Sequence, residues 1–231
     1  MDRPHSIRLH RGRGATVNPD NRYSATRREA LDDGWGNLDA PLEPLVTTLT
    51  VDSSRTVIAY NDSPDVGFDR SINPYRGCEH GCVYCFARPS HAWLGLSPGL
   101  DFESRLFYKP DAPQLLKQEL AARSYRPAPI AVGINTDAWQ PVERKLRITR
   151  AVLEVLLEAK HPFSIVTKLA LIERDLDLLQ RAAHDNLVSV AVSVTTLDRP
   201  LARCMEPRAA APQRRLEVIR NLSDAGVPVS V

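Results

Sequence analysis

From about residue 69 onward, short apolar runs suited to buried strands alternate with stretches patterned for helices, and the alternation repeats four times. Residues 68–75 read as a first strand. Residues 129–134 (Pro-Ile-Ala-Val-Gly-Ile), 163–167 (Phe-Ser-Ile-Val-Thr) and 187–194, where valine alternates with small residues, read as three more. Residues 113–123 predict a helix opened by Asp111, with Leu115, Leu116 and Leu120 on one stripe. Residues 143–160 predict the clearest helix, with Leu146, Thr149, Leu153, Leu156 and Leu157 on one face. Residues 173–184 and 212–225 predict two further helices, the last closed by Gly226. Repeated strand-then-helix is the signature of parallel βαβ units, whose right-handed crossovers build an open doubly wound sheet or a barrel. No Gly-x-Gly-x-x-Gly follows any strand, so a dinucleotide Rossmann site has no support. A complete (βα)8 barrel takes about 250 residues, more than remain after residue 68. The expected fold class is therefore α/β, a partial (βα) TIM-type barrel, apparently truncated within a fifth strand at residues 227–231. Strand edges left unpaired there would favour aggregation.

Residues 1–68 carry many breakers and weak periodicity, and read as an irregular extension to the core at 69–231. One strand pair is expected in it, at residues 45–51 and 55–60, with Asp52-Ser53-Ser54 as the turn. The first 30 residues hold seven arginines against three acids; the remainder, 23 basic against 25 acidic, is near neutral. Such a basic arm could meet phosphates, although a solvated tail is the plainer reading. No stretch approaches the roughly 18 uncharged apolar residues of a membrane helix. Met1-Asp2-Arg3-Pro4-His5 leads into arginines rather than an apolar segment, so no secretory signal is expected and the compartment is read as a reducing cytoplasm.

Three of four cysteines, Cys78, Cys82 and Cys85, crowd into eight residues directly after the first strand, while Cys204 stands apart and reads as a small buried hydrophobe. Clustered thiols in a reducing compartment usually mean metal. In parallel α/β folds the carboxyl ends of strands are where ligands bind. Structural zinc would need a fourth ligand, with His80 or His91 as candidates; Cys204 could serve only if the fold returns it to the loop. The remaining option is a [4Fe–4S] cluster held by three thiolates, with one iron open to an external ligand.

Cys-x3-Cys-x2-Cys after the first strand, with Tyr84 just before the third cysteine, resembles the radical S-adenosylmethionine superfamily. That resemblance implies a [4Fe–4S] cluster on Cys78, Cys82 and Cys85, whose open iron binds the amino and carboxylate groups of S-adenosylmethionine. One electron, from a donor such as flavodoxin or ferredoxin, then cleaves the sulfonium to methionine and a 5′-deoxyadenosyl radical. A closer likeness runs from about Ser71 to the chain's end, through Ile134-Asn135-Thr136-Asp137, Val166-Thr167-Lys168, Val192-Ser193-Val194-Thr195, Glu206-Pro207 and Arg215-Leu216. Their order resembles the spore photoproduct lyase-like branch, often described as DNA repair photolyases. Arg13-Gly14-Ala15 and Asn18-Pro19 resemble an uncharacterised bacterial subgroup of it.

By that likeness Tyr84 lies near the adenine, Thr136 and Lys168 hold the methionine end of S-adenosylmethionine, and Ser193 reaches the same ligand. On chemistry alone Lys168 suits a carboxylate, and Thr136 and Ser193 can hydrogen-bond a ligand or simply serve turns and caps. Asp137 reads as a ligand contact or a cap. Arg203 and Glu206 read as an ion pair, or as contacts to the bound cofactor. Authentic spore photoproduct lyases place a hydrogen-donating cysteine at the end of the second strand, where this chain has Gly133-Ile134-Asn135, so the substrate stays open, with nucleic acid among the candidates. Trp93, Tyr108 and Trp139 are offered as stacking surfaces. The alternative function is a non-catalytic zinc or iron–sulfur module that binds nucleic acid or protein.

Overall fold

The computed structural model describes residues 10, 12–26, 34–35 and 44–231. Along the chain run β1 (Thr48–Val51), β2 (Ile58–Tyr60), β3 (Arg70–Ile72) and β4 (Tyr75–Arg76), then the cysteine loop and a 3-10 turn at Arg88–Leu94. There follow α1 (Leu100–Ser104), β5 (Arg105–Tyr108), α2 (Ala112–Leu120), β6 (Ile130–Val132), α3 (Glu143–Leu146), α4 (Ile148–Glu158) and β7 (Phe163–Thr167). A 3-10 turn at Ala170–Asp175 leads into α5 (Leu176–His184), then β8 (Val188–Val192), α6 (Arg199–Met205), α7 (Pro212–Asp224) and β9 (Val229–Ser230).

The main sheet has the order β2-β3-β6-β7-β8-β9, parallel except for antiparallel β2 at its edge. Each parallel strand lies beside its predecessor with no reversal of direction across the sheet. A doubly wound sheet reverses at a switch point, so the sequential order marks an arc of a (βα) barrel, as expected. Residues 163–167 form β7 as read, and α2 and α7 follow the predicted helices closely. Phe163, Ile165 and Thr167 alternate with half-buried Ser164 and Val166, and Val188, Val190 and Val192 are buried beside them. Leu153, Leu156, Leu179, Val218 and Leu222 bring the helices onto the same core. Each such side chain contributes about 1.5–3 kcal/mol when fully buried.

Three local expectations change. Residues 45–51 and 55–60 do hold strands, but not a hairpin: β1 pairs parallel with β5, and β2 pairs antiparallel with β3. The Asp52 side chain, assigned to a turn, instead takes an ion pair from Arg76 at 2.6 Å, and its backbone N–H bonds Tyr108. The single strand at 68–75 is two, split at Asn73-Pro74, because proline has no N–H to continue a ladder. After the break, β4 joins the small sheet β1-β5-β4. The helix at 143–160 breaks at Arg147, which takes a left-handed φ of 54°. The break lets the Glu143 carboxylate accept the N–H groups of Thr149 (3.1 Å) and Arg150 (3.4 Å), two donors that a helix start leaves free.

Candidate active site

The cysteine loop leaves β4 and passes over the carboxyl ends of the parallel strands. A cavity of ≈ 250 Å³ opens there. Cys78, Cys82, Cys85 and Tyr84 line it from the loop, Thr136 and Asp137 from the end of β6, Lys168 from the end of β7, and Ser193 from the end of β8. Seven positions singled out in the sequence for the cluster and its ligand, spread over 115 residues of chain, thus face one space.

Local chemistry fixes each wall. Asn73 Oδ1 accepts the N–H groups of Asn135 (2.8 Å) and Thr136 (3.4 Å), and Thr136 Oγ1 donates to the Tyr75 carbonyl at 2.8 Å. Asp137 accepts from Thr167 Oγ1, from the Lys168 N–H at 2.8 Å and from the Trp139 N–H at 2.9 Å, so its carboxylate holds the ends of β6 and β7 together. Of the two readings of Asp137, the capping one describes these bonds. Tyr84 reaches across the mouth and donates to Glu206, which also accepts from Thr195 and pairs with buried Arg215. Arg215 continues to the Ser193 carbonyl at 2.9 Å. The Lys168 ammonium lies 5.9 Å from the Tyr84 ring centroid, and among the described residues no carboxylate pairs with it.

Burial sets the electrostatics. It pushes the Cys78 thiol up, and the Asp137 charge adds to this. It pushes the Cys82 thiol up to about 11, against a downward pull from Lys168. It holds His80 below the usual imidazole range, against the opposing Asp137 charge. Burial also raises Glu206, but bonds from Arg215, Tyr84 and Thr195 outweigh it and keep the carboxyl low. Thiols of this kind ionise when an electrophilic metal takes their charge.

A [4Fe–4S] cluster fits this donor set. Three thiols share one cavity, and His80, 2% exposed, also lines it with an unpartnered Nε2. Among the described residues no three His, Cys, Asp or Glu side chains converge on a single-ion point.

Several sequence expectations are corrected. His91, offered as a fourth zinc ligand, is a core residue: Nε2 lies 2.9 Å from the Arg105 carbonyl, and its ring meets Phe102 and Phe107 edge-on. Cys204 is exposed on α6 rather than buried, and is not among the residues around the cavity. Arg203 and Glu206 do not pair: Arg203 donates to the Pro207 carbonyl, while Glu206 turns inward to Arg215. Trp139 is fully buried and donates to Asp175, and Tyr108 packs half-buried against the core, so neither offers a stacking face. Trp93 does, at 72% exposure, its ring tilted 33° against Tyr23 with centroids 4.8 Å apart.

Asn73 and the inward Glu206–Arg215 pair have functional places that the sequence did not announce, although an asparagine before a proline is a signal for the first.

A profile described as the Radical SAM superfamily matches residues 72–231. An uncharacterised protein of Mycobacterium tuberculosis is 39% identical over 164 residues, covering 71% of this chain and 48% of that protein. An uncharacterised protein of Methanocaldococcus jannaschii is 26% identical over 156 residues, covering 68% of this chain and 56% of that one. The chain thus spans about half the length of these curated relatives. Among solved structures, spore photoproduct lyase complexed with dinucleoside spore photoproduct superposes with a TM-score of 0.58 at 17% identity, over 78% of this chain and 49% of that one. A variant of that lyase with bound AdoMet (S-adenosylmethionine) and dinucleoside spore photoproduct gives 0.58 at 16% identity, with the same coverage of both chains. At such identities the likeness is one of fold.

Proposed function

The chain belongs to the radical SAM superfamily, whose cofactors are a [4Fe–4S] cluster and S-adenosylmethionine; from that premise we propose that the cavity at the strand ends is the site where both bind and react. The observation that carries this reading is the convergence of Cys78, Cys82 and Cys85 with Tyr84, Thr136, Lys168 and Ser193 on one cavity. When bound, the cluster supplies the electron that cleaves S-adenosylmethionine to methionine and a 5′-deoxyadenosyl radical.

The three cysteines hold the cluster as thiolates. Lys168, which pairs with no carboxylate among the described residues, donates to the methionine carboxylate. Thr136 has already given its hydroxyl hydrogen to the Tyr75 carbonyl, so toward a ligand it accepts, which suits the methionine ammonium. Ser193 Oγ donates to the same ligand, and Tyr84, anchored by Glu206, presents its ring to the adenine. Reduction comes from a flavodoxin- or ferredoxin-type carrier in a cytoplasmic setting.

The substrate is nucleic-acid-related and the reaction lyase-like. The superposed lyase is described with a dinucleoside photoproduct, and this chain carries an exposed, tilted Trp93–Tyr23 pair with Arg22 4.9 Å over Tyr23. Base stacking on such rings tolerates any sequence. No cysteine stands at residues 133–137, so the hydrogen that completes the reaction comes from a donor other than a thiol at that strand end.

The test is anaerobic reconstitution with iron and sulfide, then electron paramagnetic resonance of the reduced protein alone, with S-adenosylmethionine, and with a short single-stranded oligonucleotide added. A signal that changes with S-adenosylmethionine supports the site. A colourless protein that takes up one zinc sinks it. An oligonucleotide that neither binds nor perturbs the signal removes the nucleic-acid substrate.

A further inference from the structure

Within the basic arm, residues 13–21 are bonded to the cysteine loop and its neighbours. Gly14 and Ala15 donate their N–H groups to the Glu103 carboxylate at 2.9 and 2.7 Å, and Glu103 is fully buried. Arg88 pairs with the same carboxylate at 2.6 Å and reaches the carbonyl of Cys82 through Nε (3.1 Å) and Nη2 (2.9 Å). Arg13 donates to the Glu103 carbonyl at 2.8 Å and to Thr47 Oγ1 at 3.1 Å, and Thr47 donates to Glu79, the residue after Cys78. Two glycines make the contact: a Cβ on Gly14 would lie 1.6 Å from the Gly81 carbonyl oxygen, and one on Gly81 would lie 2.8 Å from Glu103 Oε2. Gly81 sits between Cys78 and Cys82. Further along, Asn18 and Asp101 exchange two bonds at 2.9 and 2.8 Å, and buried Asn21 donates to the Ala92 carbonyl at 2.8 Å.

We propose that Arg13–Gly14–Ala15 is a strap belonging to the cysteine site, and that Glu103 is a positioning residue through which the strap sets the loop carrying Cys82 and Cys85. The family match begins at residue 72, so the strap lies outside the matched stretch. A loop turning through left-handed Gly77 and Gly81 has many conformations open to it. Bonds from two backbone N–H groups and a guanidinium to a buried carboxylate are of the strong, charge-assisted kind, and Arg88 passes that restraint to the Cys82 carbonyl. The thiols are thereby arranged before any cluster arrives.

The inference rests on the proposed cluster site for its consequence, not for its test. In the metal-free protein, alkylation of each cysteine is followed by peptide mass spectrometry, with exposed Cys204 as internal reference. Gly14→Ala removes the close approach to Gly81 and lifts the arm. Labelling of Cys82 and Cys85 is expected to rise about tenfold, the change in an opening equilibrium that ~1.4 kcal/mol produces, while Cys204 is unchanged. Gly67→Ala, where a Cβ meets only open space, should change none of them. Asn18→Ala, at an exposed pair, loosens the strap without endangering the fold and should give a smaller rise in the same direction. After reconstitution, Gly14→Ala should lose iron to a chelator faster than the parent protein. Labelling rates equal to the parent protein in both Gly14→Ala and Asn18→Ala overturn the proposal. If the parent protein takes up no cluster, the functional reading fails while the labelling still decides the strap.

Discussion

Two buried polar clusters lie one above the other in this molecule, and they differ in how completely they are satisfied. Beneath the strand ends, Glu143 accepts from Tyr75, from Thr149 N–H and from Arg174 at 2.8 Å. Arg174 also pairs with Asp175 at 2.6 Å, and Asp175 in turn accepts from Trp139 Nε1 at 2.9 Å and Arg150 at 3.1 Å. Glu143, Asp175, Tyr75 and Trp139 are all fully buried, and every charge has its partner. Above, on the cysteine loop, Glu79 Oε2 and His80 Nε2 are buried with no hydrogen-bond partner among the described residues, although Glu79 Oε1 meets Thr47 and Arg208, and at the end of β7 Lys168 pairs with no described carboxylate. A complete network rigidifies a core. Unsatisfied buried groups cost stability, and of those here His80 Nε2 belongs to a residue lining the cavity. The lower cluster builds the arc, and the upper one is arranged for a ligand.

The largest effect that sharpens this contrast is expected from Glu143→Gln. It removes one of the two carboxylates that Arg174 pairs with, Asp175 remaining, and should cost about 1–3 kcal/mol in urea denaturation of the metal-free protein. A loss under about 1 kcal/mol would mean the lower cluster is not what holds the arc. Next, Lys168→Met should leave urea stability within about 0.5 kcal/mol yet weaken S-adenosylmethionine roughly ten- to hundredfold, as loss of a charge-assisted bond does. Titrating the spectroscopic change of the reduced protein measures this, and an unchanged midpoint would exclude Lys168 from the ligand. Smallest is His80→Phe, which replaces a buried ring whose Nε2 has no partner among the described residues and whose Nδ1 lies 3.7 Å from Asp137. Metal-free stability should hold or rise by up to about 1 kcal/mol. A fall like that of Glu143→Gln would erase the difference between the two clusters.

Much of this was legible along the chain. The Phe-Ser-Ile-Val-Thr run announced β7, the leucine stripe at 115, 116 and 120 announced α2, and the cysteine spacing picked out the loop that lines the cavity. Asp198 with Pro200 was a readable start for α6 that went unread: the Asp198 carboxylate accepts the Leu201 N–H at 2.8 Å. β5 and α1, at four and five residues, are too short to show a period. The break at Arg147 was hidden, because it depends on where the Glu143 carboxylate ends up rather than on any glycine or proline.

Residue order by itself determined the alternation of strands and helices, the parallel arc that follows from it, and the chemistry gathered at strand ends. These rest on side-chain periodicity and turn preferences, which act within a few residues. Tertiary structure alone decided that β1 joins β5 rather than β2, that Glu206 turns to Arg215 rather than Arg203, and that Gly14 meets a carboxylate 89 residues away. Such pairings depend on burial and on satisfying polar groups in three dimensions, and nothing in a local window encodes them.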